Sequence, residues 1–481
     1  MRFLGENIFM GLEEQIILLL EENKELRDNN SKLIKRISEL EELHDIIAKQ
    51  NIRISELEEL LRKSKISKNS SNSSKPPSTD IAIPKRNQSL REKTGKKSGG
   101  QPGHEGTTLQ MSDSPDEIIE LNPNYCNKCG CNLENEEPHL EAKRQVFDIP
   151  PIHVIVKEYR RNSKKCPCCG HNQESEFPKS VNNHVQFSTK VESLVTYLSV
   201  YQLLPFKRLT ECLKHLFNLD MSEGTIDNIL NRMKDKAKPI YDKIGESIKQ
   251  SNHAGSDESS VKVNGDKWWI WVWQTILLTY ITAHKSRGME AINSVFPEGL
   301  ENVILNSDRW ASQLKTKAAG HQMCIAHLLR ELNYIEQVDK IDWATRLKAL
   351  FKKGLELKKQ QSEYSKTNPL VMQLEEELDI LFQEKIPKDL YKKSYVLQNN
   401  LKKKRDYIFT FLYNKDTPPD NNGSERAIRV VKVKQKISDQ FKSGLERFCV
   451  LRSVIDTSIK REIDVFFALS TIADYETSWA E

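Results

Sequence analysis

Leu12, Leu19, Leu26, Leu33, Leu40, Ile47, Ile54 and Leu61 recur every seven residues, with Ile16, Asn23, Asn30, Ile37, His44 and Asn51 four residues further on. A seam this narrow and this long predicts a coiled-coil helix over 1–63 rather than a helix packed on a globular body. Leu at d with Asn recurring at a favours a parallel dimer in fixed register. The Ile37–Leu43 segment returns at Ile54–Leu60 with an offset of seventeen, which is not a multiple of seven. A register shift is therefore expected near Asn51.

From Ser64 to about Gln110 the apolar positions thin out among Ser, Asn, Lys, Gly and Pro. Such a stretch cannot bury enough surface to offset the entropy of ordering, so 64–110 reads as a flexible basic linker. Within 111–180, Val146–Ile149 and Val154–Tyr159 read as extended. In the helical region 181–250, Leu209–Phe217, a break at Asn218-Leu219-Asp220, and Ser222–Met233 read as helix, turn, helix. Ser222 is placed as an N-cap, and the second helix is a candidate for a major groove.

The period then changes to two. Asp257 opens an extended run ending in Val261-Lys262-Val263, Asn264-Gly265 marks a hairpin turn, and the aromatic run Trp268–Trp273 follows. Next come an apolar run from Ile276 to Ala283, a helical stretch from Met289 to Val295, and a short strand from Asn302 that delivers Asp308 at its end. The chain is helical and Lys-rich over about 332–412, and Glu425 begins a basic helix. A catalytic domain is expected over 251–445, with a helical tail over 446–481.

Asp257, Asp308 and Glu425 thus stand on three separate elements, as two-metal chemistry at phosphorus requires of its carboxylates. The net charge is only +5, but basic residues greatly outnumber acids in 62–105 and in 426–461, and local blocks decide attraction to a polyanion. Arg426, Arg429, Lys432, Lys434 and Lys436 are the candidate DNA contacts, spread over several helix faces. Trp310 is a candidate stacking residue.

Cys126-x2-Cys129 and Cys166-x2-Cys169 form two knuckles whose four thiolates suit tetrahedral zinc, with Cys131 and Cys168 as spare neighbours. Cys324 and His327 have chelating spacing but no second pair nearby in sequence, which favours a structural role. No apolar run is long enough to span a membrane, and a cytoplasmic, nucleoid-associated protein is expected.

The segments His321-Gln322-Met323-Cys324-Ile325-Ala326-His327 and Asp420-Asn421-Asn422-Gly423-Ser424-Glu425-Arg426, with the linker strings Ser73–Asp80 and Gly99–Gly106, resemble the transposases of the insertion-sequence 66 family. The resemblance implies an RNase H-like αβα catalytic core with a helical insertion, beside the coiled coil, a zinc-binding β module and the helix-turn-helix-like region. It implies a DDE triad of Asp257, Asp308 and Glu425 using Mg²⁺ or Mn²⁺, Zn²⁺ in the four-cysteine module, and DNA as partner. It also implies accessory proteins encoded by the element, while the heptads of 1–63 point to a homodimer or higher oligomer through the coiled coil. The alternatives are an RNase H-like nuclease without strand transfer, and a domesticated, catalytically weak zinc coiled-coil DNA-binding protein. The chain departs from the family at Asp439, where Gly is usual, at Lys442, where Arg is common, and at Arg461-Glu462-Ile463, where a Gly is expected.

Overall fold

The computed structural model describes residues 3–66, 68–69, 72–73, 103, 109–150 and 152–475. The linker over 64–110 therefore lies almost wholly outside the described residues. In chain order the elements are α1 (Phe3–Lys65), β1 (Ser163–Lys165), β2 (Asn172–Glu174), α2 (Thr189–Thr196), α3 (Phe206–Phe217), α4 (Glu223–Lys249), β3 (His253–Val263), β4 (Asp266–Gln274) and β5 (Thr279–His284). There follow α5 (Met289–Asn293), β6 (Leu300–Ser307), α6 (Ala311–Lys315), β7 (Ala318–Met323), α7 (Ile325–Asp339), α8 (Asp342–Gln360), α9 (Pro369–Gln383), α10 (Lys392–Lys402), α11 (Asn422–Ser438), α12 (Leu445–Lys460) and α13 (Val465–Asp474). Among the described residues no helix is long and apolar enough to cross a membrane.

The described residues divide into two units. One draws on 1–86, 329–350 and 377–402, the other on 87–328, 351–376 and 403–481. In the first, α1 is a single helix that runs unbroken through Asn51. Its apolar positions, Ile16, Leu19, Leu26, Leu33, Leu40, Ile47, Ile54 and Leu61 among them, face solvent. At its C-terminal end Arg62 donates to the carbonyls of Gln337 and Val338, at 2.9 and 3.0 Å. Trp343 is buried and donates to Leu381 O at 2.9 Å, and Asp339 accepts the N–H and hydroxyl of Ser394 at 2.7 Å each.

The second unit is built on a five-stranded mixed sheet ordered β5-β4-β3-β6-β7, with β3, β4 and β5 antiparallel and β6 and β7 parallel to β3. The β3–β4 hairpin closes on Asn264 and Gly265, with φ of +49° and +87°, the left-handed pair that a two-residue turn requires. Alternation along the strands assigns the faces. Trp271 and Trp273 are fully buried on one face, stacked at 5.8 Å, with Phe296 edge-on to Trp273 at 5.1 Å. Such pairs add about 0.5–1.5 kcal/mol each beyond the area they bury. Helix α4 covers this face: Tyr241 stacks on Tyr280 of β5 at 4.4 Å and donates to Ile281 O at 3.0 Å. Ser222 caps α4, its hydroxyl accepting from Thr225 N at 3.1 Å, while Ile226, Ile229 and Met233 of the same helix are buried in the core shared with the sheet. Helix α11 packs against β3 and β4, on the opposite face.

Both sheet edges are closed by side chains rather than left open to pairing. Along β5, the N–H groups of Thr279 and Ile281 donate to Thr457 and Ser453 of α12, at 3.1 and 2.8 Å. Beyond β7, Gln322 bonds Ile408 O and Phe411 N, and Thr410 donates to His321 O.

Strand β3 begins at His253, four residues before Asp257, so Asp257 lies inside the strand rather than opening it. The polar, glycine-containing text His253-Ala254-Gly255-Ser256 pairs in parallel with Ile304–Asn306, and that long-range pairing overrides its weak strand propensity. In the cysteine module, β1 and β2 are the strands formed among the described residues. The described residues of 146–149 and 154–159 carry no strand pairing and leave Val146 and Val156 exposed.

Helix α12 ends in a Schellman turn, with Ile463 N donating to Ser458 O and Glu462 N to Ile459 O. Glu462 holds the C′ position at φ +58°, and Asp439, ending α11, stands at φ +61°. The family resemblance leads one to expect Gly at Asp439 and within Arg461-Glu462-Ile463, and Gly is the residue that adopts positive φ without a Cβ penalty. Glu462→Gly is expected to stabilise the sheet unit by on the order of 1 kcal/mol, a melting shift of about 2–4 °C. An equal gain from Glu462→Ala would refute the backbone explanation.

Candidate active site

The sheet brings the first two acids together. Gly255 pairs with Asn306 in the parallel β3–β6 ladder, so two residues further along Asp257 and Asp308 stand level on adjacent strands, on one face. Arg309 then takes φ +71°, turning the chain sharply away. Ser307 pairs with Met323 of β7, which places Cys324 level with Asp308 on the next strand.

The third acid arrives from α11, whose first turn closes on β3 where no Cβ intervenes. A Cβ at Gly255 would lie 2.6 Å from Asn421 Oδ1 and 2.7 Å from Ser424 Oγ, and one at Gly423 only 2.4 Å from Gln274 Nε2. Within this contact Asn421 donates through Nδ2 to Ser256 O at 2.7 Å and accepts from Ser424 Oγ at 2.7 Å. The segment before it is held by Asn306, whose Nδ2 donates to Pro418 O and Asp420 O at 2.8 and 2.9 Å. Glu425 N then donates to Asn421 O, and the Glu425 carboxylate comes over Asp308. His327 Nδ1 lies 3.0 Å from Asp308 Oδ1 and 3.8 Å from Glu425 Oε1.

Asp257 feels the whole group. Burial first, then the charges of Asp308 and Glu258, and more weakly Glu425, hold its carboxyl well above the ordinary carboxylate range, against one N–H bond from Glu258. Asp420 is pushed up too, by burial first, with Glu425 contributing. Carboxylate oxygens crowded in this way fit a hard divalent cation such as Mg²⁺ or Mn²⁺.

Glu258 faces the other side of the sheet and is differently occupied. Its Oε1 accepts both Nε and Nη2 of Arg287, at 2.9 and 2.7 Å, and its Oε2 accepts Gln313 Nε2 at 2.9 Å. The Arg287 guanidinium lies over two indoles, 3.5 Å from the Trp310 ring centre and 4.6 Å from that of Trp269. Trp310 donates from Nε1 to Arg287 O at 3.1 Å and is partly exposed. Burial still pushes the Glu258 carboxyl up, with Arg287 opposing. Nothing in the sequence marks Arg287 or Gln313 as partners of Glu258, because their pairing depends on tertiary contact alone. Asn421 and His327 lay within recognisable strings, but their contacts were not legible there.

The basic helix divides its lysines and arginines. Arg426, Arg429 and Lys436 are exposed and share one helical face. Lys432 turns inward, donating to Ser260 O at 2.8 Å, and Lys434 is half-buried, its pKa lowered to about 8 by burial and then by Arg447.

In the cysteine module the two knuckles fold alike. Cys126 N donates to Cys131 O and Gly130 N to Cys126 O, at 2.8 Å each; Cys166 N donates to His171 O at 2.7 Å and Gly170 N to Cys166 O at 2.9 Å. Backbone N–H groups aimed at sulfur lower both first thiols: those of Lys128 and Cys129 act on Cys126, those of Cys169 and Cys168 on Cys166. The contacts pair Cys126 with Cys129, and Cys166 with both Cys169 and Cys168. Among the described residues the two knuckles are not gathered into one four-thiol cluster.

Because the folded chain binds the Asp257 proton more tightly than the unfolded chain, stability at this group falls as pH rises from about 3.8, the ordinary value, towards the raised one. In metal-free protein near neutral pH, Asp257→Asn should therefore raise the melting temperature by a few degrees. Mg²⁺ should stabilise the parent more than the variant. A destabilised variant, or a parent indifferent to Mg²⁺, would show that the carboxylates do not crowd as described.

Residues 184–445 match the family described as transposase IS66 family, residues 123–170 the zinc-finger binding domain of transposase IS66, and residues 14–110 a family of unknown function (DUF6444). No curated protein matches the chain. The first match covers more than half of the sequence and spans all three acids, and with the zinc-finger match beside it the chain belongs to the IS66 family of transposases.

Proposed function

We propose that this protein cuts the ends of its own mobile element by metal-assisted hydrolysis and joins the freed 3′ hydroxyls to target DNA. On this reading the sheet order β5-β4-β3-β6-β7, with helices on both faces, is an RNase H-like core, and Asp257, Asp308 and Glu425 are its catalytic triad. The observation that carries the proposal is their convergence from β3, the end of β6 and the first turn of α11, with Asp257 held above its usual range by burial and then by the neighbouring acids.

Each residue has a separable task. Asp257, Asp308 and Glu425 offer oxygen ligands from rigid elements, and Asn421, bonded to Ser256 O, fixes the helix that carries Glu425. When bound, a pair of Mg²⁺ or Mn²⁺ ions supplies activation of the attacking oxygen and charge neutralisation at phosphorus. Arg287 and Gln313 tie Glu258 to the opposite face, so that carboxylate does not compete as a ligand. Arg426, Arg429 and Lys436 hold backbone phosphates along the exposed face of α11. The Cys126, Cys129, Cys166 and Cys169 thiolates hold one zinc ion once the two knuckles close on it. The exposed apolar seam of α1 is covered by a second copy in a coiled-coil dimer. A complete triad argues against a degenerate copy, and the exposed basic face of α11 suits a DNA partner.

Glu425→Gln, which removes one charge with little change of shape, should lower Mg²⁺-dependent nicking of a labelled element end by orders of magnitude. Each ~1.4 kcal/mol of lost transition-state stabilisation is tenfold. End binding by gel shift should persist. Parental cleavage by Glu425→Gln would break the triad assignment. For the zinc module, elemental analysis of purified protein should give a zinc content that Cys166→Ser loses, along with the fold of that module alone. Equal zinc in parent and variant would contradict the ligand set.

A further inference from the structure

One cluster beside the triad mixes nitrogen, sulfur and oxygen donors. A carboxylate oxygen of Asp308, Sγ of Cys324 and a ring nitrogen of His327 all lie within 4.8 Å of one another. Four-coordinate zinc, with bonds of about 2.0–2.3 Å, draws its ligands from within that span. The sheet makes the cluster: Cys324 follows β7 as Asp308 follows β6, its N–H donating to Ser307 O at 3.0 Å, and His327 returns over both from the first turn of α7.

The sulfur is also placed as a ligand. Cys324 Sγ accepts the N–H of Asn421 at 3.3 Å and the N–H of His327, three residues on. In both zinc-finger knuckles the first thiol likewise accepts the N–H three residues on. N–H groups directed at sulfur favour thiolate over thiol. Cys324-x2-His327 therefore repeats the knuckle's geometry at the active site, with imidazole in place of the second thiolate. Burial and the Asp308 charge push the free thiol up, and a cation reverses that balance by displacing the proton to solvent as the sulfur–metal bond forms. Mg²⁺ is a hard ion that prefers oxygen, whereas thiolate with imidazole selects zinc-class ions.

We propose that Asp308, Cys324 and His327 form a second cation site, selective for a zinc-class ion, which shares the Asp308 carboxylate with the catalytic centre and shuts that centre off when filled. The inhibitory half of this statement rests on the role proposed for Asp308, while the binding half does not.

The probe is Co²⁺, titrated into full-length protein stripped of metal and followed by its thiolate charge-transfer and visible bands. The parent should give two cobalt–thiolate components, one lost in Cys166→Ser and the other lost in Cys324→Ser. His327→Gln, which leaves the buried sulfur in place, should weaken the second component at least tenfold while circular dichroism stays parental. In Mg²⁺-driven cleavage, added zinc should inhibit the parent, and at least tenfold more should be needed to inhibit the activity that remains in Cys324→Ser. A parental cobalt spectrum and stoichiometry in both Cys324→Ser and His327→Gln would overturn the site. Equal zinc sensitivity of parent and Cys324→Ser would overturn the inhibition. Cobalt binding as described with no cleavage by any form would instead count against the transposase reading.

Discussion

The whole site depends on how closely the first turn of α11 can approach strand β3. Gly255 and Gly423 meet across a gap that admits no Cβ on either side, filled by Gln274, which is itself held by Lys460 Nζ at 2.8 Å. This close contact, tied by Asn421 to Ser256 O, sets where the first turn of α11 places Glu425. The same contact explains why a glycine stands inside a strand, where it ordinarily weakens the element.

Closeness has an electrostatic cost. Bringing Glu425 and Asp308 towards Asp257 concentrates like charge at one end of the sheet, where Lys432 of α11 offsets part of it and the flanking segments are held rigid. Asn306 and Asn421 pin the loop and the helix through backbone carbonyls. Glu258, the acid next to Asp257, is turned away by strand alternation and satisfied by Arg287 and Gln313. What is left is a set of oxygen donors whose repulsion a divalent cation would relieve, with His327 and Cys324 on its border.

Local signals were legible in the sequence where one residue type dictates conformation. Asn264-Gly265 gave the hairpin, Ser222 the start of α4, and the two Cys-x2-Cys strings the knuckles. The heptads gave a helix that runs from Phe3 to Lys65 without a break. Pairing over long range was not legible. Propensity alone starts the strand at Asp257, because His253–Ser256 lacks strand-forming residues, yet β6 recruits them into β3. Helical spacing did not separate the exposed Arg426, Arg429 and Lys436 from the inward Lys432 and half-buried Lys434, since which face meets the sheet is set by tertiary packing. The spacing of Cys324 and His327 was visible, but their third donor, Asp308, comes from a neighbouring strand. The departures at Asp439 and in Arg461-Glu462-Ile463 were visible in the sequence, and the positive φ of Asp439 and Glu462 gives them a physical meaning.

The central claim is that Asp257, Asp308 and Glu425 form one centre for divalent cations. Its most direct measurement is anomalous diffraction from crystals of the full-length protein with a DNA end, grown in Mn²⁺. The account predicts manganese peaks at the triad, with Asp257, Asp308 and Glu425 as ligands and Glu258 still paired with Arg287. Manganese bound to Glu258, or its absence from the triad with DNA in place, would contradict it.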